Sequence, residues 1–265
     1  MNDAHSQTSP LPLSSPWFWL VPGVTLFGAA IIVTLDANQS LFLWLNALGG
    51  TAATDLLWAN ATLLGDTLAA FALLGLFAHR RFDIVWALLL AALFTTLWVH
   101  GLKHAVDALR PLAVLGPDQV HVIGVALRKG SFPSGHTATA FTLAGIICLQ
   151  RVPRSLALSV VALATLVGLS RAAVGAHWPL DILGGAFGGW LCAGIGVILA
   201  RRWPTPRKPA VHIGVILVLL LCALSLLGFH DSGYPGAYPL QIIIGGLSMI
   251  SLLYAAWALR HSHPH

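Results

Sequence analysis

The chain alternates long apolar stretches with short polar segments. Eight stretches approach the roughly 20 residues that a helix needs to cross a bilayer, and the fourth is the shortest. They cover residues 17–35, 56–78, 84–102, 137–149, 156–174, 179–199, 211–228 and 240–259. Apolar runs of this length are typical of transmembrane helices. The pattern therefore predicts an all-α, polytopic transmembrane bundle of about eight spans.

Composition supports this fold class and removes one functional class. Hydrophobic residues make up 57% of the chain and charged residues only 9%, with a mean hydropathy of +0.82. A typical soluble domain carries about 25% charged residues. The net charge of +5 could suit nucleic acid, but the cations stand in short clusters between apolar stretches. We therefore expect a bilayer and no nucleic acid as partner, and no protein partner is predictable.

The two ends of the chain differ from its middle. Residues 1–16 are rich in Ser and Pro and contain no Lys or Arg, which predicts a disordered cytoplasmic lead. The first apolar stretch lacks the basic flank of a cleaved signal peptide, so an uncleaved helix is expected. The C-terminal "RHSHPH" could bind metal adventitiously, but no native metal site is expected.

The distribution of Lys and Arg predicts the orientation. Nine cations follow even-numbered spans: Arg80, Arg81, Arg151, Arg154, Arg201, Arg202, Arg207, Lys208 and Arg260. Five follow odd-numbered spans: Lys103, Arg110, Arg128, Lys129 and Arg171. Because cytoplasmic loops carry the excess of positive charge, the even ends and both termini are predicted to be cytoplasmic. The odd ends then face outward.

Unusual polar residues cluster at the odd ends. They follow span three, precede span four, end span five and begin span six. Antiparallel neighbours bring these four ends to one membrane face, so a single site is predicted there. Its members are Lys103, Arg110, Ser134, Gly135, His136, Ser170, Arg171, His177 and Asp181.

These residue types suit phosphate chemistry. Lys103 and Arg110 share a helix face two turns apart, and Arg171 adds a third cation. Three fixed cations can hold a phosphoryl group and stabilise its transition-state charge. Ser134 and Gly135 stand at a helix start, where free N–H groups attract anions.

Two histidines complete the predicted chemistry. Asp181 falls four residues after His177, close enough to bond one ring nitrogen and leave the other as a nucleophile. His136 would act as the general acid that protonates the leaving oxygen.

At these residues the sequence resembles the type 2 phosphatidic acid phosphatase (PAP2) superfamily, which includes glucose-6-phosphatase and vanadium haloperoxidases. The three parts of the family pattern stand here as "KHAVDALRP" (Lys103–Pro111), Pro133–His136 and "SRAAVGAHWPLD" (Ser170–Asp181), without a substitution. The resemblance implies a six-helix core over about residues 17–200. Residues 201–265, with two further spans and the His-rich tail, lie outside it.

The resemblance implies a metal-independent phosphatase without a cofactor, with a phosphohistidine intermediate on His177. It implies that Asp181 orients His177, that His136 is the general acid, and that the cations, Ser134 and Gly135 bind phosphate. The expected location is a bacterial inner membrane, with the site facing the periplasm. Undecaprenyl diphosphate is the first substrate expected, followed by phosphatidylglycerophosphate, phosphatidate and lipid A. Phosphotransfer to an acceptor lipid stays open, and a lipid transporter is the non-enzymatic alternative.

Several residues near this site have two alternative roles. Asp66 lies within span two, and an intramembrane acid is a functional candidate by default; it could pair with an active-site cation or serve a helix contact. Arg128 and Lys129 could attract an anionic head group or simply line a solvated loop. The last outer loop, with His230 and Tyr234, is expected to be exposed.

Overall fold

The computed structural model describes residues 16–78, 80–150, 152–203 and 209–261. Helices connected by turns and loops make up those ranges, which contain no β-strand. The helices are α1 (Pro16–Thr34), α2 (Asn38–Asn46), α3 (Ala52–Leu63), α4 (Thr67–Gly75), α5 (Phe82–Val106), α6 (Pro111–Leu115), α7 (Gly135–Cys148), α8 (Arg154–Ala173), α9 (Pro179–Arg202), α10 (Pro209–Gly228) and α11 (Tyr238–His261). The predicted lead before Pro16, Arg151, Arg207, Lys208 and the last four residues of the tail lie outside the described residues.

The all-α membrane architecture predicted from the apolar pattern is confirmed. Six of the described helices are long and apolar enough to cross a membrane, and a seventh span results if the bent pair α3–α4 is one crossing. Helix α7 has only 14 residues, about 21 Å at the helical rise, which is less than the apolar thickness of a bilayer. The number of eight spans therefore stays a prediction.

The short helix α7 lies at the centre of the bundle and packs against α4, α5, α8 and α9. Glycines on α9 permit the closest of these contacts. A methyl group at Gly189 would stand 2.3 Å from the carbonyl oxygen of Ala138, and one at Gly185 would stand 2.5 Å from that of Ser134. The glycine-rich face of α9 therefore brings its N-terminal residues against the start of α7.

Helices α3 and α4 meet at an angle of 67°. Asp66 is the N-cap of α4, and its carboxylate accepts hydrogen bonds from the backbone N–H groups of Leu68 and Ala69. At the break, a methyl group on Gly65 would stand 2.8 Å from the carbonyl oxygen of His136. The break thus places backbone of the α3–α4 turn directly against the first turn of α7.

The last two helices form a hairpin that packs on the rest of the bundle through α4. Its connection runs from Phe229 to a short 3₁₀ turn at Pro235–Ala237. The side chain of Tyr234 in this connection is buried. The exposure expected for Tyr234 is wrong, because the connection folds inward over α3 and the end of α8.

Candidate active site

The ends of α5, α8 and the starts of α7 and α9 meet at one end of the bundle, as the span order predicts. The backbone N–H of Ser134 donates to the carbonyl oxygen of Asp181 at 2.9 Å, which joins the starts of α7 and α9. Arg110 donates through Nη1 to the carbonyl oxygen of Ala176 at 3.1 Å, which joins the α5–α6 segment to the α8–α9 turn. The predicted site residues therefore belong to one cluster.

His177 and Asp181 form a buried pair at the start of α9. Nδ1 of His177 lies 3.3 Å from Oδ2 of Asp181, and each residue is at most 3% exposed. Pro179 occupies the first turn of α9, where its missing N–H costs nothing. With the proton on Nδ1, the imidazole donates to Asp181 and Nε2 keeps its lone pair. The geometry supplies an oriented nitrogen nucleophile.

The same carboxylate oxygen has two further donors. The hydroxyl of Ser131 lies 2.5 Å from Oδ2 of Asp181, and the backbone N–H of Trp178 lies 2.9 Å from it. Both bonds are charge-assisted and hold the carboxylate in one orientation. Ser131 is completely buried. Reasoning from sequence did not single out Ser131, because nothing local marks a serine 50 residues from its partner.

The surroundings keep His177 uncharged. Its burial lowers the pKa of the imidazole well below 6.5, and the nearby cations Arg110, Arg171 and Lys103 lower the pKa further. A neutral imidazole is the nucleophilic form.

Arg110 is held by backbone carbonyl groups. Besides its bond to Ala176, Nε donates to the carbonyl oxygen of Lys129 at 2.9 Å and Nη2 to that of Gly130 at 3.3 Å. Nζ of Lys103 donates to the same Gly130 oxygen at 2.7 Å. Since a guanidinium has five N–H donors, Arg110 keeps two for a ligand. The predicted shared helix face of Lys103 and Arg110 is wrong, because α5 ends at Val106 and Arg110 is extended before Pro111, which begins α6.

Arg171 ends α8 and is only 2% exposed. Its Nη1 donates to the hydroxyl of Tyr234 at 2.8 Å and to that of Thr62. Its Nε is buried and has no hydrogen-bond partner among the described residues. A buried donor without a partner is costly, so this N–H is suited to a ligand.

Helix α7 begins at the cluster. Ser134 caps it by accepting from the backbone N–H of Thr137 at 3.4 Å and from its hydroxyl at 2.9 Å. A methyl group on Gly135 would meet only Val99, at an ordinary 3.5 Å. Protein packing therefore does not require glycine at this position. His136 follows, with Gly65 against its backbone.

A groove between α4, α5 and α7 leads away from the cluster. It encloses about 810 Å³, begins at Lys103 and His136, and reaches Leu88 on α5. Fifteen helical residues separate Lys103 from Leu88, so the groove runs for about 22 Å along the bundle. Its walls are mostly apolar side chains with a few threonines. Leu93 and Leu97 line it and are largely exposed, so one side opens on the surface that would face lipid.

The accessory candidates are placed differently from the cluster. Asp66 pairs with His230, whose Nε2 lies 3.0 Å from Oδ2, and also caps α4. The pairing of Asp66 with an active-site cation is therefore wrong; the hairpin connection brings the histidine to it instead. The side chains of Arg128 and Lys129 are exposed, and it is their carbonyl groups that bind the backbone N–H and Nε of Arg110.

Known proteins match this chain in sequence and in fold. The family model of the PAP2 superfamily matches residues 84–205, which include the three motifs. A lipid A 1-phosphatase of Rhizobium etli is 34% identical over 127 residues, which are 42% of this chain and 50% of that protein. The putative undecaprenyl-diphosphatase YbjG of Escherichia coli is 34% identical over 119 residues, 44% of this chain and 56% of that protein. The chain thus spans about half the length of these curated relatives.

Two solved structures share the fold. The crystal structure of LpxE from Aquifex aeolicus has a TM-score of 0.55 and 32% identity, and the match covers 61% of this chain and 94% of that one. The PAP2 type phosphatidylglycerolphosphate phosphatase of Bacillus subtilis has a TM-score of 0.53 and 22% identity, over 75% of this chain and 99% of that one. The family pattern, the family model and a relative matched over nearly its full length agree: this chain belongs to the PAP2 superfamily.

Proposed function

We propose that this chain is a lipid phosphatase that hydrolyses a phosphomonoester or diphosphate at the outer face of a bacterial cytoplasmic membrane. One observation carries the proposal: the cationic cluster with its His–Asp pair stands at the head of an apolar groove that opens sideways. A polar head at the cluster and a hydrocarbon chain in the groove describe an amphipathic phosphate.

In the first step, Nε2 of His177 attacks phosphorus, an N–P bond forms, and the bond from phosphorus to the lipid oxygen breaks. Asp181 holds the Nδ1–H and stabilises the positive charge that the ring acquires. His136 gives its proton to the departing oxygen. Lys103, Arg110, Arg171 and the first N–H groups of α7 stabilise the charge on the phosphoryl oxygens.

In the second step, water replaces the lipid. His136 takes a proton from the water, the water oxygen bonds to phosphorus, and the N–P bond breaks to release phosphate. The neutral His177 is restored. An acceptor lipid in place of water would turn the same first step into phosphotransfer, so acceptor dependence separates the two reactions.

The names of the relatives suggest two candidate lipid substrates, lipid A and undecaprenyl diphosphate. The groove between α4, α5 and α7 begins at the cluster and suits a single hydrocarbon chain, which favours a lipid with one chain. Undecaprenyl diphosphate is therefore the substrate that we propose first, with lipid A as the second.

Phosphate release by the detergent-purified protein tests the proposal. We expect release from undecaprenyl diphosphate without an acceptor lipid, release that is unaffected by EDTA, and loss of release in His177→Ala. Strict dependence on an acceptor would replace hydrolysis by phosphotransfer. No turnover of any lipid phosphate, together with transport of lipid across vesicle membranes, would favour the transporter instead.

A further inference from the structure

The C-terminal hairpin, α10 and α11, lies outside the segment that matches the family model, yet its connection reaches the candidate active site. One side chain of the connection contacts a member of the cluster, and another contacts the α3–α4 break beside it. Tyr234 bonds to Arg171, and His230 bonds to Asp66 at the α3–α4 break.

Arg171 depends on residues outside the family motifs for its orientation. The hydroxyl of Tyr234 accepts from Nη1 at 2.8 Å, and the guanidinium carbon lies 5.8 Å from the centre of the tyrosine ring. Thr62 on α3 accepts from the same nitrogen. Both acceptors are neutral, so they fix the guanidinium without cancelling its charge. The buried Nε remains without a partner among the described residues.

Tyr234 is itself held firmly. Its carbonyl oxygen accepts from the backbone N–H of Ala237 at 2.9 Å, and its ring belongs to a buried cluster that includes Trp58 and Val174. Gly124 has a positive φ and approaches the ring so closely that a methyl group there would lie 2.8 Å from it. The hydroxyl is therefore presented to Arg171 from a rigid frame.

A second set of hydrogen bonds holds the same connection in place. Gln241 at the start of α11 donates through Nε2 to the carbonyl oxygen of His230 at 2.9 Å and to that of Leu226 at 2.7 Å. This holds the His230 backbone while its ring bonds to Asp66. The connection is thus anchored on both sides of the site, at the end of α8 and at the break beside His136.

We propose that Tyr234 is a positioning residue for phosphate binding: its hydroxyl holds the Arg171 guanidinium so that Nε and the remaining N–H groups point to the phosphoryl oxygens. The C-terminal hairpin then contributes to the active site a residue that positions Arg171. This inference rests on the proposed phosphatase function, because it assigns Arg171 to the phosphate.

The test replaces Tyr234 by Phe, which removes only the hydroxyl, and uses Tyr238→Phe as the matched control because Tyr238 is on the same hairpin and 57% exposed. We expect Tyr234→Phe to lower kcat/KM about tenfold and to weaken inhibition by orthovanadate, a phosphate mimic, by a similar factor. The control should match the wild type in both. The thermal unfolding midpoint of Tyr234→Phe should stay near that of the wild type, which separates positioning from a general structural role.

A double-mutant cycle sharpens the test. Because Tyr234 acts through Arg171, adding Tyr234→Phe to Arg171→Ala should cost little beyond the loss from Arg171→Ala alone. Thr62→Val removes the other acceptor and should lower kcat/KM as Tyr234→Phe does. It replaces Tyr234→Phe in the test if that variant is unstable. Wild-type values for both variants, or full additivity with Arg171→Ala, would overturn the proposal. An inactive wild-type protein that does not bind orthovanadate would instead reject the proposed function.

Discussion

The hydrogen bond that Ser131 donates to Asp181 can be removed by a small substitution. Ser131→Ala removes one oxygen atom and leaves Oδ2 of Asp181 with its bonds to His177 and to the backbone N–H of Trp178. Both Ser131 and Asp181 are buried, so water cannot easily replace the lost donor.

The size of the effect follows from the type of bond. A hydrogen bond to a charged group is worth about 1.5–3 kcal/mol, and every 1.4 kcal/mol is about a factor of ten. Not all of this energy is lost in the transition state, because Trp178 still orients the carboxylate. We therefore expect kcat/KM to fall about 10- to 100-fold. Asp181→Asn should cost more, about 10⁴-fold, since an amide disturbs the ring tautomer of His177.

The assay is the initial rate of phosphate release from a lipid phosphate in detergent, measured over a range of substrate concentrations. Ser248→Ala is the control, because Ser248 is equally buried but lies on α11 against α4. Ser131→Thr keeps a hydroxyl and should recover part of the rate. A rate for Ser131→Ala within twofold of the wild type would refute the role given to this bond.

Three further predictions follow from the same structure. Because the pKa of His177 lies well below 6.5 and its neutral form is the nucleophile, the acidic limb of kcat/KM, corrected for substrate ionisation, should have its midpoint well below pH 6.5; an acidic-limb midpoint above 6.5 would contradict this. Gly189→Leu should lower the thermal unfolding midpoint by several degrees, since even a first side-chain carbon would stand 2.3 Å from the Ala138 carbonyl oxygen; an unchanged midpoint would refute the packing. In intact cells an impermeant thiol reagent should label Arg128→Cys but not Arg80→Cys, and the reverse result would invert the proposed orientation.

Local sequence patterns were sufficient to predict most of the helical architecture and the residues of the motifs. Apolar runs predicted the helices, and the order of the spans predicted that Lys103, Ser134, Arg171 and His177 would share one end of the bundle. These inferences needed only helix periodicity, antiparallel packing and turn chemistry. The short α7 and the bent α3–α4 pair show where the pattern was insufficient, because span lengths depend on packing as well as on composition.

Contacts between distant side chains could not be predicted in the same way. Tyr234 lies 63 residues from Arg171, and Thr62 lies 109 residues from it. A single tyrosine or threonine in an apolar chain has no pattern that distinguishes a site partner from an exposed residue. Asp66 illustrates the same limit: its place within a predicted span marked it as unusual, but its partner, His230, lies 164 residues away.

In the proposed mechanism His177 forms a covalent bond to phosphorus. The most direct measurement incubates the purified protein with a lipid diphosphate labelled with ³²P at the terminal phosphate, quenches it in denaturant at alkaline pH, and assays protein-bound label. We expect a labelled protein whose label is stable to base, is released by acid, maps to a peptide containing His177, and is absent in His177→Ala. Lipid phosphate turnover at the wild-type rate in His177→Ala would contradict this mechanism.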